Sequence, residues 1–326
     1  MVVNMKKVTF GEAIRDGARF EMLRDPEIFV AGEDVRAGGA YGEFLGFTEE
    51  FPNRIIDTPI SETAIVGLGL GAAAMGMRPL MCMSKVDFMM VAMDEVVNQV
   101  AKFRYMYGGK AKIPLVLQAN YGMTGRGQAA QHSQSLESLF THIPGLKVVM
   151  PSTHADAKGL MTAALRDDNP VVYLQAMRLM QRKDDIPDGE YIVPIGKASV
   201  RREGTDLTIV SWGAVCCECM DAAETLEKDG ISVEVVDLRT LSPIDIDTVL
   251  ASVEKTSRLL IAHEAVLQSG HGAEISALVA EHGMDFLDAP IKRVGGAMCP
   301  IPFSPLLENE YFVTAAKVAA AAKSMF

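Results

Sequence analysis

Residues 57–83 read DTPISETAIVGLGLGAAAMGMRPLMCM, a long apolar segment followed by a shorter apolar run. The segment predicts a helix over Glu62–Met77, and the run Pro79–Met83 predicts a buried strand. The Gly- and Ala-rich stretch Ala64–Met77 is too short to span a bilayer, so we interpret it as part of a buried helix. A helix that leads into a buried strand is typical of an α/β protein.

The alternation of strands and helices continues on both sides of this stretch. The first series has further strands near Ile28–Ala31, Pro114–Ala119, Lys147–Met150 and Val171–Leu174, and helices near Phe88–Tyr107, Ser133–Thr141 and Ala155–Arg166. A second series has strands near Leu207–Val210, Ser232–Asp237, Arg258–His263 and Ile291–Val294, and helices near Ala214–Lys228, Pro243–Lys255, Gly272–Glu281 and Val313–Met325. This order predicts an α/β fold with two parallel sheets, each covered by helices on both faces.

Between the two series, residues Gln181–Gly196 are polar and rich in turn residues, without a clear helix or strand pattern. We therefore predict a first domain over residues 1–185, a linker over 186–196 and a second domain over 197–326. In the second domain, Ser242 is predicted to cap a helix that has Pro243 at its first position.

Composition excludes several classes of function. Hydrophobic residues make up 49% of the chain and charged residues 22%, and the net charge of −11 disfavours nucleic acid or an anionic membrane as partner. The N-terminus lacks the apolar core of a signal peptide. Five cysteines without a regular framework predict reduced thiols and a cytoplasmic protein. The cluster Cys216-Cys217-Glu218-Cys219 has no second ligand pair for zinc, so we interpret it as small buried thiols.

Glu62 is the lone carboxylate at the head of the very apolar helix. Its charge can simply favour the helix dipole. A partly buried carboxylate can also share a proton with a ring nitrogen of a ligand. The glycines of Gly67-Leu-Gly-Leu-Gly71 suggest a nucleotide loop, but they lie inside the helical segment, which favours close helix packing.

Two other segments also have a structural and a functional interpretation. His132 follows the glycine loop Gly122–Gly127, where it could face a cleft or make an ordinary hydrogen bond, and Ser133 or Ser135 could cap the next helix. The segment Arg166-Asp-Asp-Asn-Pro170 is a turn whose oxygen atoms could also hold a cation. No Gly-Asp-Gly followed by Asn, no Walker loop and no HExxH helix is present, so no sequence motif for a diphosphate and its metal is visible.

Taken in order, the motifs resemble the β subunit of thiamine-diphosphate-dependent 2-oxo acid and acetoin dehydrogenases over nearly the whole chain. They are Gly32-Glu33-Asp34-Val35, Arg54-x-x-Asp57 through Glu62, Gly76-x-Arg78-Pro79, Ala129–Ser135, Pro144–Val149, Arg166–Pro170, His263-Glu264-Ala265 and Pro300–Phe303. Ala101–Ala111 is most similar to the acetoin branch. The resemblance implies a transketolase-like pyrimidine-binding domain followed by a transketolase C-terminal-like domain.

The resemblance also implies that the cofactor, thiamine diphosphate, lies between two chains. An α subunit holds the diphosphate and Mg²⁺, the β subunit supplies the pyrimidine-binding face, and two α and two β subunits form a heterotetramer. Glu62 hydrogen-bonds the aminopyrimidine, Phe88 packs against it, and Glu33 belongs to the same cofactor-binding set. His132 lines the channel and assists proton transfer, or acyl transfer to a lipoyl arm. A K⁺ site is implied at Leu115, Ala164, Leu165, Asp167 and Asn169.

The implied activity is that of an oxidoreductase that acts on the aldehyde or oxo group of a small molecule and is active only with the α subunit. An acyl- or hydroxyalkyl-thiamine intermediate is passed to lipoamide on a lipoyl acyltransferase. A subunit of a split transketolase-type enzyme and a non-catalytic partner subunit are the alternatives. Four positions depart from the family pattern and leave the substrate open among acetoin, pyruvate and branched 2-oxo acids. These are Cys82 and Gln175 in place of Glu, Gln118 in place of Arg, and Met298 in place of Asp.

Overall fold

The computed structural model describes residues 4–326 and divides into two compact units. Unit one comprises the chain up to Tyr121 together with Leu139–Ile195, and unit two comprises Gly122–Ser138 and Gly196–Phe326. Segment Gly122–Ser138 thus packs with unit two, although it lies within the first predicted domain, and the boundaries at 185 and 197 stay a prediction. Within residues 4–326, no helix has the length and apolar character needed to cross a membrane.

Unit one is built on a parallel sheet. Its strands are β1 (Met5–Thr9), β2 (Ile28–Gly32), β3 (Ile55–Asp57), β4 (Arg78–Lys85), β5 (Val116–Tyr121), β6 (Lys147–Val149), β7 (Val171–Ala176) and β8 (Lys183–Pro187). Six of them lie in the order β6-β7-β5-β4-β2-β3, and every neighbouring pair is parallel. β1 and β8 form a separate antiparallel pair, which corrects our interpretation of Gln181–Gly196 as a segment without strands.

The helices near this sheet are α1 (Phe10–Arg24), α2 (Phe47–Glu50), α3 (Glu62–Ala74), α4 (Val86–Met89), α5 (Ala101–Met106), α6 (Glu137–Thr141) and α7 (His154–Arg166). The single helix predicted over Phe88–Tyr107 is in fact a succession of α4, a 3₁₀ turn at Met90–Ala92, a π-helical segment at Glu95–Val100 and α5. The first two residues of α6 belong to unit two.

Helix α1 packs closely against α7. A side chain at Gly17 would place its Cβ 2.6 Å from the Lys158 carbonyl oxygen, so only glycine allows this approach. Arg166 at the end of α7 donates from Nε and Nη2 to the two carboxylate oxygens of Glu21 on α1, at 2.9 and 2.6 Å. The Glu21 side chain is fully buried, and this bidentate pair fixes one end of the helix pair.

The prediction that α3 is a buried helix is only partly correct. Gly69 faces the sheet, where an added Cβ would lie 2.5 Å from Cγ of Met81. On the opposite face, Gly67 and Gly71 meet open space, and Leu68 is 45% exposed. Close packing therefore explains the central glycine of the Gly-x-Gly-x-Gly run, whereas the outer two line an exposed apolar surface.

Unit two has its own sheet, formed by β9 (Ser199–Arg202), β10 (Leu207–Ser211), β11 (Val233–Asp237), β13 (Leu259–Val266) and β14 (Lys292–Gly296). The short strand β12 (Thr240–Ser242) is not part of this sheet. The helices of unit two are α8 (Gly213–Lys228), α9 (Ile246–Thr256), α10 (His271–Gly283), α11 (Pro305–Tyr311) and α12 (Ala315–Lys323). The sheet order is β14-β13-β10-β11-β9, parallel except for β9.

Two sequence expectations for unit two have different outcomes. Cys216 and Cys219 lie on the core-facing side of α8 and are buried, as predicted for the cluster, whereas Cys217 is only partly buried. Burial raises the pKa of the Cys216 and Cys219 thiols. The predicted cap at Ser242 is wrong, because Ser242 ends β12. Asp245 is the N-cap residue of α9 instead, and its Oδ2 accepts hydrogen bonds from the Ala198 N–H at 3.0 Å and the Thr248 hydroxyl at 2.9 Å.

Candidate functional site

The carboxyl ends of β2, β3 and β4 meet at one edge of the unit-one sheet. Gly32 pairs in register with Asp57 on one side and with Cys82 on the other. A Cβ at Gly32 would lie 2.0 Å from the Cys82 carbonyl oxygen, so this strand end requires glycine. Ligands of α/β proteins bind at the carboxyl ends of parallel strands, and Glu33 follows directly at this edge.

Glu33 and Glu62 interact at this edge. Glu62 begins α3 and is 7% exposed. Burial raises the pKa of Glu33, and the negative charges of Glu62 and Asp34 raise it further. Within residues 4–326, Glu33 Oε1 and the Thr58 hydroxyl are buried and have no hydrogen-bond partner. Buried polar atoms are normally paired, so these two indicate a ligand that supplies hydrogen-bond donors.

Lys85 and Phe88 lie at the end of the neighbouring strand β4. Lys85 is 7% exposed, and its burial lowers the pKa of the amine to about 8, although the charge of Asp87 acts in the opposite direction. Its Nζ donates to the Tyr41 hydroxyl at 3.3 Å. Phe88 follows in α4 and is half-buried. Sequence reasoning missed Lys85, because a lysine that ends an apolar run has the pattern of an ordinary exposed strand terminus.

His132 lies in unit two, in the loop Gly122–Leu136 before α6, and its side chain is exposed. Gly122, Gly125 and Gly127 have φ of +86°, +75° and +70°, a conformation that favours glycine. Ala129 adopts a φ of +62°, which is uncommon for a residue with a side chain, and the His132 N–H donates to its carbonyl at 3.4 Å. The loop therefore has a specific, tightly turned backbone.

The predicted helix start at Ser133 is wrong, because α6 begins at Glu137. The hydroxyls of Ser133 and Ser135 are buried and have no hydrogen-bond partner within residues 4–326, so neither caps α6. The structure therefore divides the predicted cofactor-binding and catalytic residues between the two units. Glu33, Glu62 and Phe88 belong to unit one, and His132 belongs to unit two.

The segment with the predicted cation ligands forms a compact turn in unit one. Asp167 pairs with Lys147, and its Oδ1 accepts from the backbone N–H and the side-chain amide of Asn169, both at 2.9 Å. Arg78 donates to the carbonyls of Leu165 and Asp167 at 2.9 and 2.8 Å. The carbonyls of Leu115 and Ala164 accept from the N–H groups of Val171 and Asp167. Each carbonyl oxygen has a second lone pair, which leaves K⁺ ligation compatible with these bonds.

Comparison with known proteins bears on both units. Residues 6–181 match the family "Transketolase, pyrimidine binding domain", and residues 196–318 match "Transketolase, C-terminal domain". The chain is 46% identical to the beta subunit of acetoin:2,6-dichlorophenolindophenol oxidoreductase from Cupriavidus necator, over 98% of this chain and 97% of that protein. The chain belongs to the transketolase-like β subunits of acetoin and 2-oxo acid dehydrogenases.

Other members of this β-subunit family match equally well along the chain. The acetoin oxidoreductase subunit beta of Bacillus subtilis is 42% identical over 95% of both chains. The 2-oxoisovalerate dehydrogenase subunit beta of the same organism is 42% identical over 98% of this chain and 99% of that protein. A solved structure titled "Split gene transketolase, inactive beta4 tetramer" covers 98% of each chain with a TM-score of 0.80, but at 23% identity it shows the shared fold alone.

Two of the four positions that depart from the expected family pattern lie in one buried hydrogen-bond network of unit one. Gln118 Nε2 donates to Gln175 Oε1 at 2.8 Å, and Gln175 Nε2 donates to Asn120 Oδ1 at 2.9 Å and to Glu43 Oε1 at 3.3 Å. A third, Cys82, pairs in register with Gln118 on the neighbouring strand, and burial raises the pKa of its thiol well above the usual value. Burial also raises the pKa of Glu43. The three positions are therefore close together in this part of the sheet.

The fourth departure, Met298, lies in unit two and is 71% exposed. It lines a cavity of about 540 Å³ whose wall also includes Ser133 and Ser135 of the His132 loop and Glu264 of β13. Met298 therefore gives this cavity wall an apolar side chain at a position where the resemblance predicts an aspartate.

Proposed function

We propose that this chain is the β subunit of a cytoplasmic heterotetramer of two α and two β subunits that oxidises acetoin or a 2-oxo acid and is active only with its α subunit. Family membership supports the oxidoreductase class, because relatives that match nearly the whole chain carry dehydrogenase or oxidoreductase names. The split transketolase alternative has only a likeness in fold, at 23% identity.

The observation that carries the proposal is the pair Glu33 and Glu62 at the carboxyl end of the unit-one sheet. An aminopyrimidine ring carries N–H donors and ring nitrogens, which suits the buried and unpaired Glu33 Oε1 beside the Glu62 carboxylate. When bound there, thiamine diphosphate supplies the nucleophilic carbon that attacks the substrate carbonyl. Glu62 holds a proton at a pyrimidine nitrogen, Glu33 accepts from the ring's donors, and Phe88 packs on its face.

His132 in unit two is proposed to line the substrate channel. Its exposed imidazole can move a proton to or from the substrate, or assist acyl transfer to the lipoyl arm of an acyltransferase. Mg²⁺ and the diphosphate are proposed to be bound through the α subunit, in keeping with the absence of a diphosphate motif from this sequence. The turn around Asp167 and Asn169, together with the carbonyls of Leu115, Ala164 and Leu165, is proposed as a K⁺ site.

Titration of thiamine diphosphate and Mg²⁺ into the chain alone, and into the chain with its α subunit, tests the shared site. We expect measurable binding only in the complex, and tight Mg²⁺-dependent binding by the chain alone would contradict the proposal. In the complex, Glu62→Gln should lower kcat by about 10²-fold or more, because general acid–base groups contribute on that scale. Glu49→Gln, the same change at an exposed site of unit one, is the matched control and should leave kcat unchanged.

A comparison of kcat/KM for acetoin, pyruvate and 2-oxoisovalerate identifies the substrate. We expect acetoin to give the highest value, because Ala101–Ala111 is most similar to the acetoin branch and the chain is 46% identical to an acetoin oxidoreductase subunit beta. A higher kcat/KM for pyruvate or 2-oxoisovalerate would reassign the substrate while leaving the thiamine site in place. No turnover of all three with a competent α subunit would support the non-catalytic alternative.

A further inference from the structure

The backbone of the loop that carries His132 donates hydrogen bonds to two carboxylates of unit two. Glu264, on β13, accepts a hydrogen bond from the Met123 N–H at 2.7 Å through Oε1. Glu308, on α11, accepts from the Gly125 N–H through Oε1 and from the Gly127 N–H through Oε2, both at 3.0 Å. Three backbone N–H groups in the five-residue stretch from Met123 to Gly127 therefore donate to two side chains that are distant in sequence.

Both carboxylates are buried, which is an unfavourable place for a charge unless it is well paired. Glu308 is 0% exposed and Glu264 is 7% exposed. Helix α11 has the opposite pattern of burial to an ordinary surface helix, which buries its apolar residues and exposes its charged ones. Leu306 is 79% exposed and Leu307 is 59% exposed, whereas the Glu308 side chain is buried. With Glu308 facing inward, α11 makes hydrogen bonds to the loop instead of burying its leucines. The hydrogen bonds to the loop therefore explain why this glutamate is buried.

The glycines of the loop fit this arrangement. A Cβ at Gly122 would lie 2.7 Å from Glu264 Oε1, and a Cβ at Gly127 would lie 2.5 Å from the Phe303 carbonyl oxygen just before α11. Glycine at these positions allows the backbone to approach the carboxylates closely enough to donate its N–H groups. The base of the loop is closed by the Gly122 N–H, which donates to the Gln134 carbonyl at 3.1 Å.

The other end of the loop is also anchored in unit two. Glu137, the first residue of α6, accepts a hydrogen bond from Trp212 Nε1 at 3.3 Å and is 1% exposed. His132, with an exposed imidazole, therefore lies on a segment whose two ends are fixed by buried carboxylates.

From this geometry we infer that Glu264 and Glu308 are positioning residues that fix the His132 loop, and with it the imidazole, for its transfer step. The inference rests on the proposed role of His132. Neither carboxylate needs to touch the substrate, because each acts on the backbone that carries the histidine. Misplacement of a catalytic group by about 1 Å can cost about 10²-fold in rate, so loss of one support is sufficient to be measured.

Hydrogen exchange on the complete chain tests the structural half of the inference without any activity. Glu308→Gln keeps the shape of the side chain but replaces one acceptor oxygen by an NH₂ group that cannot accept. We expect at least one of the Gly125 and Gly127 amides, the one that loses its acceptor, to exchange at least about 10-fold faster, while the Met123 amide, held by Glu264, stays protected. Glu310→Gln, the same change on the exposed side of α11, is the matched control and should change neither.

Kinetics of the complex test the functional half. Glu308→Gln should lower kcat by about 10- to 100-fold with little change in KM for the oxo substrate, because it displaces the imidazole that acts in the transfer step and leaves the proposed cofactor-binding residues of unit one untouched. Unchanged exchange at Gly125 and Gly127 overturns the inference, and so does faster exchange with unchanged kcat. If His132→Ala leaves kcat unchanged, the proposed role of His132 is itself wrong, and the carboxylates then hold a loop without a catalytic part.

A second variant covers the case in which Glu308→Gln does not fold. Gly127→Ala leaves both carboxylates in place but pushes the loop away from the Phe303 carbonyl. It should reproduce the faster exchange at Gly125 and the fall in kcat. Wild-type exchange and kcat in Gly127→Ala would overturn the inference independently.

Discussion

Gln118 Nε2 donates a 2.8 Å hydrogen bond to Gln175 Oε1 between the neighbouring strands β5 and β7, and both side chains are 0% exposed. The family resemblance predicts Arg at position 118 and Glu at position 175. A neutral amide pair occupies these positions instead, with a hydrogen bond between two adjacent strands of the sheet. The two departures are therefore in direct contact with each other.

This coupling predicts a specific pattern of stability. Gln118→Arg or Gln175→Glu alone leaves a buried charge without its partner and should lower the free energy of unfolding by about 3–5 kcal/mol. The double variant places opposite charges at these two contacting positions and should recover most of that loss. Urea unfolding of all four proteins measures the cycle. Gln181→Glu, the same change at an exposed glutamine, should have little effect. Additive losses in the double variant would contradict the coupling.

A second prediction concerns Glu137, whose pKa burial raises to about 7 from the usual 4.5. Between these two values the folded chain keeps a proton that the unfolded chain releases, so the stability contributed by Glu137 falls by about 1.4 kcal/mol per pH unit as pH rises. That contribution is full below about pH 4.5 and is lost as pH passes about 7.

Glu137→Gln should remove this pH dependence, and the amide can still accept from Trp212. Burial lowers the pKa of His263 and His271 to about 4, which works in the opposite direction, since protonation of these histidines favours unfolding as pH falls. The informative quantity is thus the difference in the free energy of unfolding between wild type and Glu137→Gln at pH 5 and pH 8. The prediction is wrong if that difference is the same at both.

A third prediction compares two arginines that share one carboxylate. Arg166 binds both oxygens of the buried Glu21, whereas Arg24 binds only Oε2 and is 46% exposed. Lysine cannot reproduce a bidentate contact. Arg166→Lys should therefore cost about 2 kcal/mol or more of stability, since it weakens the pairing of a buried charge. Arg24→Lys should cost less than about 1 kcal/mol, as expected of an exposed pair. Thermal unfolding of both variants decides, and equal losses would contradict the bidentate argument.

The proposed K⁺ site gives a fourth prediction. If the carbonyls of Leu165 and Asp167 use their second lone pairs for K⁺, the folded chain is stabilised by the ion through mass action, by about 2.7 kcal/mol at a hundred times its Kd. The Tm should then be higher in KCl than in choline chloride at the same ionic strength. The Asn169→Ala variant should show a smaller difference, and an identical Tm of wild type in both salts would argue against the site.

Sequence patterns predicted most of the strands and helices of the two cores, but they missed the exposed strand β8 and the buried helix α1. Apolar runs such as Leu207–Ser211 identify buried parallel strands directly. Strand β8, Lys183–Pro187, is mostly exposed and pairs only with β1, so it has no alternation to detect. Helix α1 was missed although its start carries a sequence signal. Thr9 and Glu12 form a capping box with hydrogen bonds of 2.7 and 3.2 Å.

The residues of the candidate site were also only partly predictable from the sequence. Glu62 and His132 were singled out by the short motifs around them, and the family resemblance then supplied their expected roles, which stay predictions. Glu308 was not predicted, because its partners Gly125 and Gly127 are 183 and 181 residues away in the sequence. Only the folded chain brings them together, and a glutamate within a short helix carries no pattern that distinguishes it from a surface residue.

The grouping of Gly122–Ser138 with Gly196–Phe326 has a consequence for protein engineering. A chimera of two relatives joined near residue 196 would take the His132 loop from one parent and Glu264 and Glu308 from the other. Its His132 loop would then be hydrogen-bonded to carboxylates that come from a different parent sequence. Exchange of Gly122–Ser138 and Gly196–Phe326 together would keep each loop with its own carboxylates. The unit that can be exchanged between relatives is therefore discontinuous in the sequence.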